Sequence, residues 1–130
     1  MKAVKVTIAK KEYYLYFNGN AMFESRDKYG GIEQLNNALD EKTREGFAAI
    51  CDTAALLAEQ GELTRRYCGY DPAEFITAET IKNIIQPPEI LDLLTAIFRA
   101  IQLGFGAEID REKEDEIDIG LAELNQKKTD

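Results

Sequence analysis

Residues 43–61 read Thr-Arg-Glu-Gly-Phe-Ala-Ala-Ile-Cys-Asp-Thr-Ala-Ala-Leu-Leu-Ala-Glu-Gln-Gly. Phe47, Ile50, Cys51, Ala54, Leu57 and Ala58 recur at intervals of three and four, which sets them on one apolar stripe of a helix opened by Thr43. Gly61 is expected to end or interrupt that helix, with another turn or two over 62–68 before Gly69. A single stripe must be buried against something, so the flanking sequence decides the rest of the fold.

On the C-terminal side, Asp71-Pro72 marks a loop, and Thr77 can cap a short helix carrying Ile81, Ile84 and Ile85. Pro87 and Pro88 end it, because the residue before a proline is pushed out of the helical region. Pro88 suits the first position of a further helix, with Glu89 beside the positive end of its dipole. That helix should run to about Leu103. Its broad apolar face of Ile90, Leu91, Leu94, Ile97, Phe98 and Ile101 marks the expected centre of the core.

On the N-terminal side the period changes to two. Val4, Val6 and Ile8 share one face of a strand over 3–9, with Lys5 and Thr7 on the other. A second, aromatic strand spans 12–17, with Tyr13, Leu15 and Phe17 pointing one way and Tyr14 and Tyr16 the other. Only Lys10-Lys11 separates them, so the connection is a hairpin whose turn type is left open by the lack of Asn-Gly. A lone hairpin is marginal in water and must pack on the helices. Asn18-Gly19-Asn20 supplies cap candidates for a helix through Tyr29, stopped by Gly30-Gly31, and a short helix follows over Ile32–Leu39.

The fold class that follows is mainly α, or α+β. An N-terminal two-stranded β-hairpin packs on a small helical bundle over 1–106, and an acidic flexible C-terminal tail occupies 107–130. Glu108 to Asp118 holds seven acidic residues opposed only by Arg111 and Lys113, a density that favours a solvated linker. Ile117, Ile119, Leu121 and Leu124 then suggest a short amphipathic tail. It either docks on a partner or folds back onto its own domain, and the sequence weighs the two equally.

Composition bounds the chemistry. With 130 residues and 45% apolar content the chain can fold as one domain. Its net charge of −8 opposes nucleic acid and anionic membranes as partners and favours basic protein faces. There is no histidine, which removes the commonest neutral-pH base and the commonest metal ligand. Cys51 and Cys68 make neither a disulfide framework nor a zinc site. Gly30-Gly31 and Gly104-Phe-Gly106 lack the pattern of a phosphate loop, and a calcium loop begun at Asp110 has Asp115 where glycine is required. We therefore expect no enzyme, no metal and no cofactor. No leader-like segment or membrane span is apparent, so a reducing cytoplasm is expected.

The candidate contacts are protein-binding. They are the hairpin aromatics Tyr14 and Tyr16, the basic-aromatic group Arg65, Arg66 and Tyr67, and the tail residues Ile119, Leu121 and Leu124. Residues 1–17 carry four lysines against one glutamate, so head-to-tail self-association with the acidic tail is also possible on charge grounds.

The stretch Tyr14-Leu-Tyr-Phe-Asn-Gly-Asn-Ala-Met-Phe-Glu24, followed by Lys28-Tyr-Gly-Gly-Ile32, resembles the N-terminal part of phage tail assembly chaperones. Leu56-Leu-Ala-Glu-Gln-Gly61, Tyr70-Asp71, the Thr77 helix and the Pro87-Pro88-Glu89 start are also similar. The resemblance covers roughly residues 3–105 and implies a protein of the host bacterial cytoplasm, absent from the finished virion. Such a protein binds the tape measure protein, keeps it soluble and helps recruit tail tube subunits. The family also often makes a longer form by ribosomal frameshifting, for which lysine codons at Lys127-Lys128 could serve as a slippery run. The competing reading is an acidic regulator that mimics nucleic acid and occupies a DNA-binding protein's basic site.

Overall fold

A computed structural model describes residues 1–121. Strands β1 (Lys2–Ile8) and β2 (Lys11–Leu15) lead into helices α1 (Gly19–Tyr29), α2 (Ile32–Ala38), α3 (Arg44–Tyr67), α4 (Ala78–Ile84) and α5 (Pro87–Gly104). A short strand β3 (Glu116–Asp118) and a 3-10 turn (Ile119–Leu121) follow. The architecture is mainly helical with an N-terminal hairpin. The hairpin gains a third antiparallel strand, giving the order β2-β1-β3.

The helix starts follow from their caps. Asn18, Thr43 and Thr77 each accept a hydrogen bond from a backbone N–H of the first turn that has no helical partner. At the start of α5 the Gln86 N–H donates to the Glu89 carboxylate at 2.8 Å and the Glu89 N–H to the Gln86 carbonyl at 2.9 Å, and Pro87 rather than Pro88 begins the helix. α3 does not break at Gly61: it runs unbroken for 24 residues. A Cβ at Gly61 would lie 1.8 Å from the Tyr14 carbonyl oxygen, so the missing side chain is what lets β2 lie against the helix. The Tyr16 N–H then donates to the Leu57 carbonyl at 3.1 Å, which ties the end of the hairpin to α3.

The hairpin register pairs Val4 with Leu15 and Ile8 with Lys11, so the turn is Ala9-Lys10, one residue earlier than the sequence suggests. Both turn residues have positive φ, 52° and 68°, as a turn matching the strand twist requires. Neither residue type favours that region. Replacing the pair (Ala9→Asn with Lys10→Gly) should raise stability by about 1 kcal/mol, read as a higher unfolding midpoint. An unchanged or lower midpoint would argue against this turn.

Val4, Ile8, Leu15 and Phe17 face the main core, where they meet Ile50, Leu57, Ile81, Ile97 and Ala100. The core side of α5 is centred on Leu93, Ile97 and Ala100, which leaves Leu91 57% exposed. The other face of the sheet holds a second, smaller core of Ala3, Tyr14, Tyr70, Ile117 and Ile119. Of the two alternatives for the C-terminal segment, folding back is therefore the one realised as far as Ile119.

The charge of this segment is offset by internal pairs, among them the N-terminal ammonium with Asp118 at 3.0 Å, and the most buried of them is that of Glu116. Glu116, in a side chain only 1% exposed, takes a two-pronged pairing from Arg99 of α5 (Nε to Oε2 2.9 Å, Nη2 to Oε1 2.8 Å). It also accepts the Asp110 N–H at 2.9 Å. The Arg99 hydrogen bonds, with help from that N–H, hold the Glu116 carboxyl below the usual range even though burial pushes the other way. A depressed folded value means the stability it supplies is present above the unfolded value, near 4.5, and is lost as pH falls through the folded value. Glu116→Gln should cost roughly 2 kcal/mol at neutral pH and flatten the stability curve below the ordinary glutamate range. Denaturant unfolding across pH 2–7 of the two proteins checks it, and parallel curves would count against the clamp.

Candidate protein-binding surface

Of the residues singled out in the sequence, Arg65, Arg66 and Tyr67 lie in the last turn of α3, and the structure sorts the candidates into two groups. Arg65 is 1% exposed. Its guanidinium lies between the rings of Tyr14 and Tyr70, 5.7 and 5.6 Å from their centroids, and pairs with the Glu62 carboxylate. The other Glu62 oxygen accepts from Arg66 Nε and from the Ala73 N–H, both at 2.8 Å. Arg66 also donates to the Ala73 carbonyl at 2.8 Å and covers the Phe75 ring at 4.4 Å. This polar knot ties the loop after α3 back onto the helix.

Three candidate contacts are therefore interior rather than exposed. Tyr14 is buried against Ala3, Tyr70 and Ile119, and that burial raises its phenol above the ordinary value. Arg65 supports the sheet from below, and Ile119 is fully buried. The alternation that put Tyr14 opposite the main core was right. The second core covers that face, and the hairpin alone gives no sign of it. Tyr16 is half-buried beside the same cluster, and its phenol is likewise pushed up by burial. Leu124 and the Lys127-Lys128 pair lie outside the described residues.

Outside the knot the side chains face water. Tyr67 is 87% exposed, Leu121 64%, and Leu63 and Phe75 a little under half. Leu63 and Tyr67 are one turn apart, so they share a face of α3. Leu121 lies two residues after Ile119, whose carbonyl accepts from the hydroxyl of Tyr70, a residue just past the end of α3, at 3.5 Å. Leu63 and Phe75 were not among the expected contacts. Leu63 was readable as an apolar residue off the main stripe, whereas Phe75 sits in a loop where no periodicity applies.

No protein-family model, no curated protein and no solved structure matches the chain.

Elsewhere the surface of the described residues has hollows. A groove of ≈ 450 Å³ between α1 and α3 is rimmed by Glu24, Asp27 and the Lys28–Asp52 pair, which closes at 2.8 Å. That contact raises the Lys28 ammonium above its ordinary value. A second groove of ≈ 420 Å³ runs past Met22 and Phe105, whose ring leans on Phe17 at 5.5 Å. Cys51 is buried in α3, and burial pushes its thiol up to about 11, which suits a core residue and not a nucleophile. Among the described residues no group of three or more His, Cys, Asp or Glu could hold a metal ion, and no helix is long and apolar enough to cross a membrane.

Proposed function

We propose that this protein is a tail assembly chaperone of a long-tailed phage or prophage. It acts in the host cytoplasm, binds the tape measure protein, keeps it soluble and helps recruit tail tube subunits. The observation that carries the reading is the set Leu63, Arg66, Tyr67 and Phe75 at and just past the end of α3, together with Leu121 of the C-terminal segment, exposed although both cores are complete without them. An exposed tyrosine beside an arginine is the composition of a contact surface, the exposed leucine and phenylalanine around them add apolar area, and a long helical partner offers apolar stripes for it to cover. The sequence resemblance over roughly 3–105 points to the same kind of partner, and the net charge of −8 suits a basic one. The nucleic-acid-mimic reading is less favoured, because Glu116, one of the acidic residues it relies on, is spent in an internal pair.

Co-expression with the tape measure protein of the same phage tests the proposal. The soluble fraction of that protein should rise with the wild-type chain and fall back with Tyr67→Ser combined with Leu121→Ser. These positions are exposed, so each change should alter stability by no more than about 0.5 kcal/mol. A tape measure equally insoluble with and without the chain would refute the reading.

A further inference from the structure

The β1 strand is longer than the strand beside it. β3 pairs only with Lys2 to Val4, and the last bond across that edge is the Lys5 N–H to the Asp115 carbonyl at 2.6 Å. The pairs Val4–Leu15, Val6–Tyr13 and Ile8–Lys11 face β2 across a two-residue turn, so they exchange their backbone bonds with β2. By alternation the backbone groups of Lys5 and Thr7 point to the opposite edge. Past Lys5 no described residue pairs with that edge, and a groove of ≈ 280 Å³ runs along it. Lys5, Val6, Thr7 and Ile8 all line the groove. Successive residues alternate between faces, so a hollow touched by all four lies along the edge of the strand.

The rest of the groove gives it a character. Ile85, Leu93 and Ala96 supply an apolar wall, and Glu89, Asp92 and Asp115 supply carboxylates. The lysine in it, Lys5, is already paired with Glu12 of β2 at 3.2 Å. The mouth is therefore net negative, beside a strand edge whose Thr7 N–H and carbonyl have no partner among the described residues.

We propose that this edge is a strand-addition site. It takes an extended segment of a partner protein that alternates apolar and small residues and carries lysine or arginine at its flanks. The segment lies beside Val6–Ile8 end to end with β3. Its backbone bonds to Thr7, its apolar side chains meet Leu93 and Ala96, and its basic flanks meet Asp92 and Asp115. Addition in this place extends a row that β3 has already begun, so it needs no rearrangement of the fold. The inference needs only that the chain binds polypeptide, and stands apart from the identity of the tape measure partner.

The test uses the full ¹⁵N-labelled chain and a short blocked peptide of alternating valine and threonine flanked by lysines. Amide shifts should change saturably at Lys5–Ile8 and along Asp92–Ala96. The same peptide N-methylated at alternate residues should not bind, because its backbone cannot complete the ladder. Asp92→Lys with Asp115→Lys should weaken binding about tenfold or more, and Thr7→Pro, which removes the edge donor, should abolish it. If Thr7→Pro does not fold, the methylated peptide still decides the question. Shifts centred elsewhere, equal binding of the methylated peptide, or no binding by the wild-type chain would overturn the proposal. Loss of this site with tape measure solubility intact would leave the chaperone reading standing, and the reverse result would leave the groove standing.

Discussion

Gly61→Ala is expected to destabilise the protein by roughly 3 kcal/mol, lowering its unfolding midpoint by about 10 °C. Helix propensity alone predicts the opposite sign, a gain of about 1 kcal/mol for alanine inside a helix. Geometry decides between them. The added methyl would sit 1.8 Å from the Tyr14 carbonyl oxygen, 2.8 Å from its carbon and 3.2 Å from its Cβ. Two of those three atoms are backbone, so no rotamer change relieves the overlap. β2 would have to move, and it is fixed on both sides, by β1 and by the Tyr16–Leu57 bond. A thermal melt of the variant checks the sign, and a raised midpoint would mean that the strand and α3 are further apart than described.

Removing the buried charge should cost a similar amount. Arg65→Met keeps much of the side-chain volume between the Tyr14 and Tyr70 rings but deletes the cation paired with Glu62. A loss of roughly 3 kcal/mol is expected, as for breaking a buried pair from one side. Glu62 keeps Arg66 and the Ala73 N–H, which holds the loss below that of a carboxylate stripped of every partner. Arg65→Lys should recover only part of the stability, because a compact ammonium lacks the broad planar fork with which the guanidinium reaches Glu62 and both rings. Denaturant unfolding gives the magnitude, and the near-ultraviolet dichroism of the tyrosines reports whether the rings stay in place. A full rescue by lysine would mean that charge alone, and not the shape of the guanidinium, holds this end of α3.

The elements were legible because they are local. Period-two alternation before Asn18, the stripe from Phe47 to Ala58, the capping threonines and the Pro87-Pro88 pair each act within a few residues, and each placed its element. What escaped the sequence reading depends on residues distant along the chain. Gly61 looked like a helix break because its real neighbour, the Tyr14 carbonyl, lies on a strand near the other end of the protein. Glu116 could not be told from the other carboxylates of its run until Arg99 was placed beside it. Tyr14, Arg65 and Ile119 looked like contacts because nothing local shows that Tyr70 and Ile117 close the second face of the sheet. Tyr67 and Leu121 stand exposed, as contact residues must, and Leu63 joins them through the helical repeat.

Hydroxyl-radical footprinting of the full chain, alone and with the tape measure protein, tests the central claim at the level of side chains. The account predicts that oxidation of Leu63, Tyr67, Phe75 and Leu121 falls on mixing, while buried Tyr14 and Tyr70 stay unreactive in both states. Unchanged oxidation of those four in a mixture shown to contain the complex, or protection confined to other surfaces, would contradict it.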